Sequence, residues 1–450
     1  MTRSLHERLQ ALRQSADRAA PSVPAGVGVP SAPAPGYTDV APAQPPMPTG
    51  FRYEEGPLGR YCVRQLRFDL LSMHGEHRFS DVLDCDLTAL WKVTRAHPAP
   101  PEVHAERLRF YDTETSGLGT GAGTFPFLHA VGRIEEDEFV VTQYFLNDHA
   151  EEPALLAALV EQHFSSGREL VVTFNGKSFD WPLLRNRLVM HSRGFAMQAY
   201  AAAEARPKLD VADVQQVDLL YPARRLWRTK LQSVSLRNVE AHVLGLRRVD
   251  DVPGKEAPAR YFAWRDGQPD AGLQPVFDHN AADVCTLVGL AARLAEILTG
   301  RRAVDSAGEF VALGRWHDEW QEHELAIRCY TAATHCPDAT WQTYWSRGQL
   351  CKRTGRWDEA VDVWGLMADK FAWSIPPLVE LAKHAEHRLR DLEAAERWTR
   401  LALARAVERG ARLRHPVAVP PVPGEPPGSG VLETLQHRLR RVQRKRGIAR

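Results

Sequence analysis

The chain has 450 residues, of which 44% are hydrophobic and 25% are charged. This composition is typical of a protein with several globular domains, and it excludes a chain that is disordered throughout. The formal net charge is +1, which argues against a uniformly basic nucleic-acid coat protein and against an acidic tail protein. The net charge averages over all domains, so it does not exclude local patches of charge.

The cysteines and the hydropathy of the sequence indicate the cellular compartment of the protein. Six cysteines are scattered along the chain without a Cys-x-x-Cys pair, which disfavours zinc knuckles and thioredoxin-type chemistry. Such sparse usage favours a reducing cytoplasm over a secreted disulfide scaffold. The N-terminus lacks the apolar core of a secretory signal, and we find no run of about 18 apolar residues that predicts a membrane span. We therefore expect a cytoplasmic protein without membrane contact.

The first 50 residues differ in composition from those that follow. Residues 1–18 predict a short charged helix, and residues 20–49 are dense in Pro, Ala and Gly, which predicts a disordered tether. A folded region is expected to begin near Phe51. For residues 51–106 two interpretations stay open: an N-terminal extension of the next domain, or a small unit of its own.

Residues 107–300 alternate strand and helix patterns, which predicts a mixed sheet covered by helices. Short apolar runs predict strands at 108–112, 127–134, 138–146 and 169–174. Helical spacing of apolar residues predicts helices at 151–164, from Phe179 onward, at 231–244 and at 276–298.

From about Gly308 the strand signals end and a 34-residue period appears. Three classes of position share this period: Ala326, Ala360 and Ala394; Tyr330, Trp364 and Trp398; and Gly314, Gly348 and Ala382. Small residues at fixed points let paired helices pack closely, and an aromatic ring fills the gap between them. Over residues 308–412 the pattern resembles tetratricopeptide (TPR) repeats, which bind protein partners. Coincidence among Ala-rich helices is the alternative.

Residues 413–450 comprise a Pro-rich linker and a basic tail. The basic residues of the tail are Arg438, Arg440, Arg441, Arg444, Lys445, Arg446 and Arg450. Two interpretations stay open for them, a contact with nucleic acid and a solvated terminal helix.

An acidic constellation lies at the ends of predicted strands and on one predicted helix. Asp112 and Glu114 in YDTETSGL are two residues apart on a strand, so they point to one face, where a cation relieves their repulsion. A solvated turn is the alternative. Asp180 lies at a helix start, where capping is its alternative role. His279 and Asp283 share one face of a helix, and a surface pair is their alternative.

The order Asp-x-Glu, then Asp, then His-x-x-x-Asp is the pattern of a two-metal phosphodiester hydrolase. In such enzymes carboxylates hold two Mg²⁺ or Mn²⁺ ions, and a nearby base takes a proton from the attacking water. A histidine suits the role of the base, because its unperturbed pKa of about 6.5 lies near neutral pH.

These residues make the sequence resemble the DEDD 3′–5′ exonuclease superfamily and, more narrowly, the YprB-type ribonuclease H-like family. The matching stretches within 107–298 are YDTETSGL, VVTFNGKSFDWPLLRNR, VDLLYPARRLWR, LQSVSLRNVEAHVLGLRRVDDVPG and DHNAADV. The resemblance implies that Asp112, Glu114, Asp180 and Asp283 bind the metal ions and that His279 is the base. The spacing from His279 to Asp283 is that of the tyrosine subclass, with His279 at the tyrosine position.

The family's arrangement also has a helical region after the nuclease domain. We therefore expect an α/β ribonuclease H-like nuclease domain followed by an all-α TPR-like helical repeat domain. A chain that ends near residue 300 is expected to keep the nuclease fold and its activity.

A basic run with interleaved aromatic residues lies between Tyr221 and Arg248. It holds seven Lys and Arg residues against the single acid Glu240, a local excess of +6. Such a run fits a path for single-stranded nucleic acid, and a solvated helix face with Trp227 in the core is the alternative. The candidate substrate contacts are Asn175, Lys177, Arg224, Arg225, Trp227 and Arg228. Asp218 is expected to orient the site or to bind a Lys or Arg.

Two glycine motifs do not carry the function that they suggest. NGKS at 175–178 lacks the earlier glycine of a phosphate-binding P-loop, because that position is Val171. GLGTGAG at 117–123 is expected to form a flexible loop beside the metal site rather than a dinucleotide site.

The leading hypothesis is a metal-dependent 3′–5′ exonuclease that acts on single-stranded DNA or RNA. A non-catalytic nucleic-acid-binding scaffold, which recruits a protein partner through the TPR-like repeats, is an alternative from a different class. A structure-selective endonuclease is a third hypothesis, because the same pair of metal ions also supports internal cleavage.

Overall fold

A computed structural model describes residues 47–94, 103–117, 119, 123–165, 169–201, 211, 214–249, 251–268, 272–413 and 430–448. The helix predicted at 1–18 and most of the disordered segment predicted at 1–50 lie outside these residues. So do residues 118 and 120–122 of the glycine-rich loop, and residues 414–429 of the Pro-rich linker.

Within the described ranges, seven strands form one mixed sheet in the order β1-β2-β7-β6-β5-β8-β9. They are β1 Arg52–Gly56, β2 Gly59–Asp69, β5 Leu108–Thr115, β6 Pro126–Glu135, β7 Glu138–Phe145, β8 Leu170–Thr173 and β9 Gln215–Asp218. The pairs β5–β8 and β8–β9 are parallel, and the other neighbours are antiparallel. Two short strands, β3 Met73–His74 and β4 His77–Arg78, pair separately. The predicted mixed α/β sheet is confirmed.

Residues 51–69 add two strands to this sheet. Strand β2 pairs with β7 from Cys62 opposite Phe145 to Asp69 opposite Glu138, and β1 forms the outer edge. Of the two interpretations left open for residues 51–106, the strands therefore favour an extension of the neighbouring sheet.

Helices cover both faces of the sheet. They are α1 Thr88–Thr94, α2 Glu152–His163, α3 Asp180–Ala201, α4 Leu220–Trp227, α5 Leu236–Val243, α6 Ala257–Arg265 and α7 Gln274–Leu298. The helix predicted at 231–244 is shorter than expected, because it begins at Leu236, where the Ser235 side chain accepts a hydrogen bond from the Asn238 N–H. Strand β9 and helix α4 were not predicted, since elements this short show little periodicity.

Alternate residues of β5 enter two different cores. Phe110 packs into the core on the side of α1, α4 and α7, whereas Tyr111 packs into the core on the side of α2, α3 and α6. Helix α7 is buried on most of its surface and lies against β5 and β6. Because strand side chains alternate, Asp112 and Glu114 share the face of Phe110 and point toward α7.

A region of helices follows the sheet. Its helices are α8 Ala307–Glu319, α9 His323–His335, α10 Trp341–Arg353, α11 Trp357–Lys370, α12 Pro376–His384, α13 Leu392–Leu413 and α14 Gly430–Lys445. A short π-helical turn, Ala385–Leu389, lies between α12 and α13. The predicted all-helical C-terminal region is thus confirmed. Across the described part of the chain, no helix is long and apolar enough to cross a membrane.

The 34-residue period corresponds to close packing of helix backbones against aromatic rings. A Cβ atom at Gly314 would lie 2.9 Å from Tyr330, and one at Gly348 would lie 2.5 Å from Trp364. Both distances are shorter than any normal carbon contact, so each ring occupies the space that a side chain would need. The assignment to TPR repeats, and a protein partner for them, stay predictions.

The hydrophobic core continues across the predicted boundary at residues 300–308. Leu313 and Trp316 of α8 belong to the same buried cluster as Leu226 and Trp227 of α4. The indole Nε1 of Trp227 donates a hydrogen bond of 3.0 Å to Glu309 Oε1. The helical region and the sheet region therefore share one core at this junction, and the expectation that a chain ending near residue 300 folds alone is not supported.

The basic tail forms helix α14, which packs on α13. Arg438, Arg441 and Lys445 bind the carboxylate of Glu386, at 3.1, 2.7 and 2.8 Å. Burial alone would raise the pKa of Glu386, but hydrogen bonds from Arg441 and Lys445 outweigh it and lower the pKa to about 2. These basic residues therefore bind within the chain, which neither interpretation of the tail anticipated.

Candidate active site

Helix α7 carries three polar side chains to the two acids of β5. Asn280 Nδ2 donates to Asp112 Oδ2 at 2.8 Å. His279 Nε2 lies 3.9 Å from Glu114 Oε1 and 3.8 Å from Asp283 Oδ2. Strand β5 and helix α7 thus bring together the first and the last members of the predicted constellation.

Asp180 reaches the same group from the turn between β8 and α3. Thr113 Oγ1, on β5, donates a hydrogen bond to the Asp180 carboxylate. The turn itself is held by Asp218 at the end of β9, which accepts the N–H groups of Asn175 at 2.8 Å and Lys177 at 3.2 Å. Asn175 has a left-handed backbone with φ of 70°, which asparagine tolerates better than most residues. Asp218 therefore holds the turn that precedes Asp180, and its role in orienting the site stays a prediction.

The predicted carboxylates raise the pKa values of the two acids on β5. Loss of hydration raises the pKa of Asp112 well above its usual range, and the charges of Asp283, Asp180 and Glu114 raise it further. Burial and the charges of Asp283 and Asp180 do the same for Glu114. Burial is also the main cause that raises the pKa of Asp180 to about 6. So many carboxylates in a shielded place are unfavourable unless cations balance them.

Three of these carboxylates are oriented by hydrogen-bond donors of the chain. The donor–acceptor pairs are Asn280 to Asp112, Thr113 to Asp180 and Arg248 to Asp283. Outer-shell donors of this kind orient the ligands of metal sites, and carboxylate oxygens are the ligands that Mg²⁺ and Mn²⁺ prefer. By its chemistry the donor set fits divalent cations. Among the described residues, no three or more His, Cys, Asp or Glu side chains are arranged closely enough to hold a metal ion.

Arg248 lies inside the acidic group rather than on the substrate path. Its guanidinium binds Glu240 and Asp283 and lies 3.8 Å from Asp251 Oδ1. Burial alone would lower its pKa, but the charges of Asp283 and Glu240 raise it above the usual value. Arg248 therefore stays charged and offsets part of the negative charge of the site.

Asp251 is a member of the site that spacing did not predict. His279 Nδ1 lies 2.6 Å from Asp251 Oδ1, and the Asp251 side chain is almost entirely enclosed. Nδ1 also lies 3.2 Å from Arg248 Nη1, which only donates, but the shorter contact to the Asp251 carboxylate, which only accepts, favours a proton on Nδ1 of the neutral imidazole. The unprotonated Nε2 then faces Glu114 and Asp283, which is the orientation that a proton acceptor needs. The VDDVPG segment contained the residue, but nothing in its spacing from His279 marked the pair.

The predicted substrate contacts divide into two groups. Lys177, Arg224 and Arg228 are exposed and have no salt bridge to any described residue. Arg225 instead binds Glu319 through two hydrogen bonds of 2.8 and 3.1 Å, and its guanidinium lies 4.7 Å from the centre of the Trp316 ring. Arg225 thus links α4 to α8 and is not available as a free cation.

The stacking predicted for Trp227 is corrected by the structure. Trp227 is only 2% exposed, and its indole N–H is bound to Glu309. The alternative, with Trp227 in the core, is therefore right. The exposed aromatic residue of helix α4 is Tyr221, which is 51% exposed. Asn175 forms part of the turn, two residues before Lys177, and its side chain is exposed.

Comparisons with known proteins identify the family of this region. Residues 109–295 match the family model described as the RNase_H superfamily, a range that contains every acid of the site. The chain is 31% identical over 345 residues to the uncharacterized protein YprB of Bacillus subtilis (strain 168), which covers 74% of this chain and 78% of that protein. The RNase H superfamily is one of nucleic-acid phosphodiester hydrolases. The chain belongs to the YprB-type family of ribonuclease H-superfamily proteins.

Proposed function

We propose that this protein is a metal-dependent nuclease that removes nucleotides from the 3′ end of single-stranded DNA or RNA. The observation that carries the proposal is that helix α7 holds His279 3.9 Å from Glu114 Oε1 and 3.8 Å from Asp283 Oδ2, and Asn280 on Asp112. The charges of Asp180 and Asp283 raise the pKa values of Asp112 and Glu114, and buried carboxylates that repel one another are stabilised when cations bind them.

Asp112, Glu114, Asp180 and Asp283 would hold two divalent cations, Mg²⁺ or Mn²⁺. Cations bound there lower the pKa of a water molecule and offset the negative charge that develops on the phosphate. Thr113, Asn280 and Arg248 keep the carboxylates oriented before substrate arrives, so that little reorganisation is needed during the reaction.

His279 would act as the general base. Its Nε2 accepts a proton from the attacking water, while the hydrogen bond from Nδ1 to Asp251 keeps the ring oriented. When the imidazole becomes charged, the Asp251 carboxylate stabilises it at 2.6 Å. The role of general base fits the position of His279, because its Nε2 faces Glu114 and Asp283.

Exposed cations beside the site support a nucleic-acid substrate. Lys177 lies in the turn that leads to Asp180, Arg224 lies on helix α4, and Arg228 directly follows the last residue of that helix. Their charges attract the phosphates of a strand in a salt-dependent way. The preference for a 3′ end and for a single strand rests on the resemblance to DEDD exonucleases.

Cleavage of labelled oligonucleotides tests the proposal. Single-stranded DNA and RNA with a 5′ label are incubated with Mg²⁺ or Mn²⁺ and with either the wild-type chain or the Asp112→Asn variant. A ladder of shortened products from the wild type alone supports the exonuclease, and early release of a mononucleotide from a 3′-labelled strand establishes the polarity. Discrete internal cuts would favour the endonuclease, and binding without cleavage in both proteins would favour the scaffold.

A further inference from the structure

A cavity of about 470 Å³ lies between the sheet and the first helix of the helical region. Lys177 and Asp218 line it from the sheet, Tyr221 and Arg225 from α4, and Trp316 from α8. Its volume lies in the range of sites for small molecules, about 300–1,000 Å³.

The cavity adjoins the acidic group through a short, fixed turn. Asp218 accepts the backbone N–H groups of Asn175 and Lys177, and the N–H of Trp181 donates to Gly176 at 2.9 Å. Asp180 is therefore at one end of this turn and the wall of the cavity is at the other. Lys177 of the cavity wall thus lies three residues before Asp180 in the chain.

The lining offers an aromatic face and a free cation. The Tyr221 ring is half exposed, and its hydroxyl is 3.3 Å from Ser178 Oγ. Lys177 is exposed and without a salt bridge among the described residues, whereas Arg225 is held by Glu319 and Trp316 and so forms a fixed wall. An aromatic ring beside an ammonium group is the combination that binds the base and the phosphate of one unpaired nucleotide.

We propose that this cavity binds one unpaired nucleotide of the substrate strand, with its base stacked on Tyr221 and a phosphate at Lys177. The inference rests on the proposed nuclease function and specifies how its substrate is held. Arg224 on α4 and Arg228, which directly follows the last residue of α4, lie three and seven residues after Tyr221, so they extend the path for phosphates along one side of the helix. Trp316 supports this wall from the helical region, because the Arg225 guanidinium lies 4.7 Å from the centre of its ring.

Fluorescence of a base analogue tests the cavity directly. The full chain carrying Asp112→Asn, which prevents turnover, is mixed in Mg²⁺ with deoxythymidine or uridine oligomers that carry a single 2-aminopurine at successive positions. We expect strong quenching at one position near the 3′ end. Adding Tyr221→Ala should abolish this quenching and weaken binding roughly 5- to 100-fold, whereas Tyr221→Phe, which keeps the ring, should preserve both.

The lysine is tested by the salt dependence of binding. Lys177→Ala should weaken binding and reduce the slope of log affinity against log salt by about one unit, and Lys177→Arg should restore both. The two oligomer types show whether the cavity distinguishes deoxyribose from ribose. Thermal unfolding of each variant checks that the fold is intact.

The outcomes separate this inference from the proposed function. Quenching and affinity that are unchanged by Tyr221→Ala would overturn the nucleotide cavity, even if the wild type produces a cleavage ladder. Failure of the wild type to bind any oligomer would overturn it as well. Conversely, a wild type that binds through Tyr221 but never cleaves would contradict the nuclease and leave the cavity supported as a nucleotide site.

Discussion

His279 and Asp251 form a hydrogen-bonded pair, with 2.6 Å between Nδ1 and Oδ1, across 28 residues of sequence. The pair links α7 to the segment between α5 and α6, and it turns the free Nε2 of the imidazole toward Glu114 and Asp283. The orientation of the ring is thus set by a carboxylate that does not belong to the predicted constellation.

Replacing Asp251 by Asn tests this pair. An Asn side chain can donate its amide hydrogen to Nδ1, which would move the imidazole proton to Nε2 and remove the proton acceptor. We expect kcat to fall roughly 10- to 100-fold, the usual effect of losing an outer-shell partner. The double variant Asp251→Asn/His279→Ala should be no slower than His279→Ala alone in the same cleavage assay.

The matched control for Asp251→Asn is Asp278→Asn. Asp278 lies next to His279 on α7, its side chain is 60% exposed, and it binds Arg64 and Gln274 instead of the site. The Asp278→Asn variant should cleave at the rate of the wild type, and its pH–rate profile should be unchanged. Equal losses in the two variants would argue that α7 is merely destabilised.

Asp180 predicts how the stability of the metal-free protein depends on pH. Burial raises its pKa from 3.8 to about 6, so the folded state binds this proton more tightly than the unfolded state does. The stability that this group contributes is fully present below pH 3.8 and is lost as the pH rises through about 6. Asp180→Asn, which stays neutral, should therefore be more stable than the wild type at pH 7 by up to about 3 kcal/mol.

Thermal unfolding at pH 4 and pH 7 checks this difference. In EDTA the gap between Asp180→Asn and the wild type should widen with pH, and millimolar Mg²⁺ should narrow it at pH 7 by stabilising the charged carboxylates of the wild type. A difference in stability between the two proteins that changes with neither pH nor Mg²⁺ would contradict the proposed role of Asp180 as a ligand.

The spacing of Gly348 and Trp364 predicts a large effect of a small substitution. A Cβ atom at Gly348 would lie 2.5 Å from Trp364 Nε1, so Gly348→Ala forces α10 and α11 apart. We expect a loss of about 1–3 kcal/mol in the free energy of unfolding. Gly365→Ala is the matched control, since its Cβ would meet nothing within 4 Å, and it should be neutral or stabilising by roughly 0.5–1 kcal/mol. Equal effects would refute the close packing.

Patterns that lie within one element of the chain were predictable. The strands β5 to β8 and helix α7 have apolar runs long enough to show their periods, and the pairs Asp112 with Glu114 and His279 with Asp283 each lie within one element. The 34-residue period likewise predicted which glycines and aromatic residues of α8 to α11 pack against each other.

Contacts between distant segments were not predictable. Arg248 is part of a basic run in sequence, yet folding places it against Glu240 and Asp283. The basic residues around Trp227 in sequence are typical of an exposed residue that stacks on bases. In the fold Trp227 is buried, and Glu309 of α8 accepts a hydrogen bond from its indole N–H. Only the tertiary fold determines which of two similar side chains meets a partner, and Tyr221 rather than Trp227 is left exposed.

The contact between Trp227 and Glu309 predicts that the sheet region depends on the helical region. A chain covering residues 47–300 would expose Trp227 and Leu226 to water and should be insoluble or strongly destabilised, whereas residues 47–450, which keep α14 against Glu386, should fold. In the full chain, Glu309→Leu leaves the buried indole N–H without an acceptor and should cost about 1–3 kcal/mol, while Glu309→Gln keeps an acceptor oxygen and should cost less. Thermal unfolding of the four proteins measures this, and a stable, active 47–300 fragment would show that the two regions are independent.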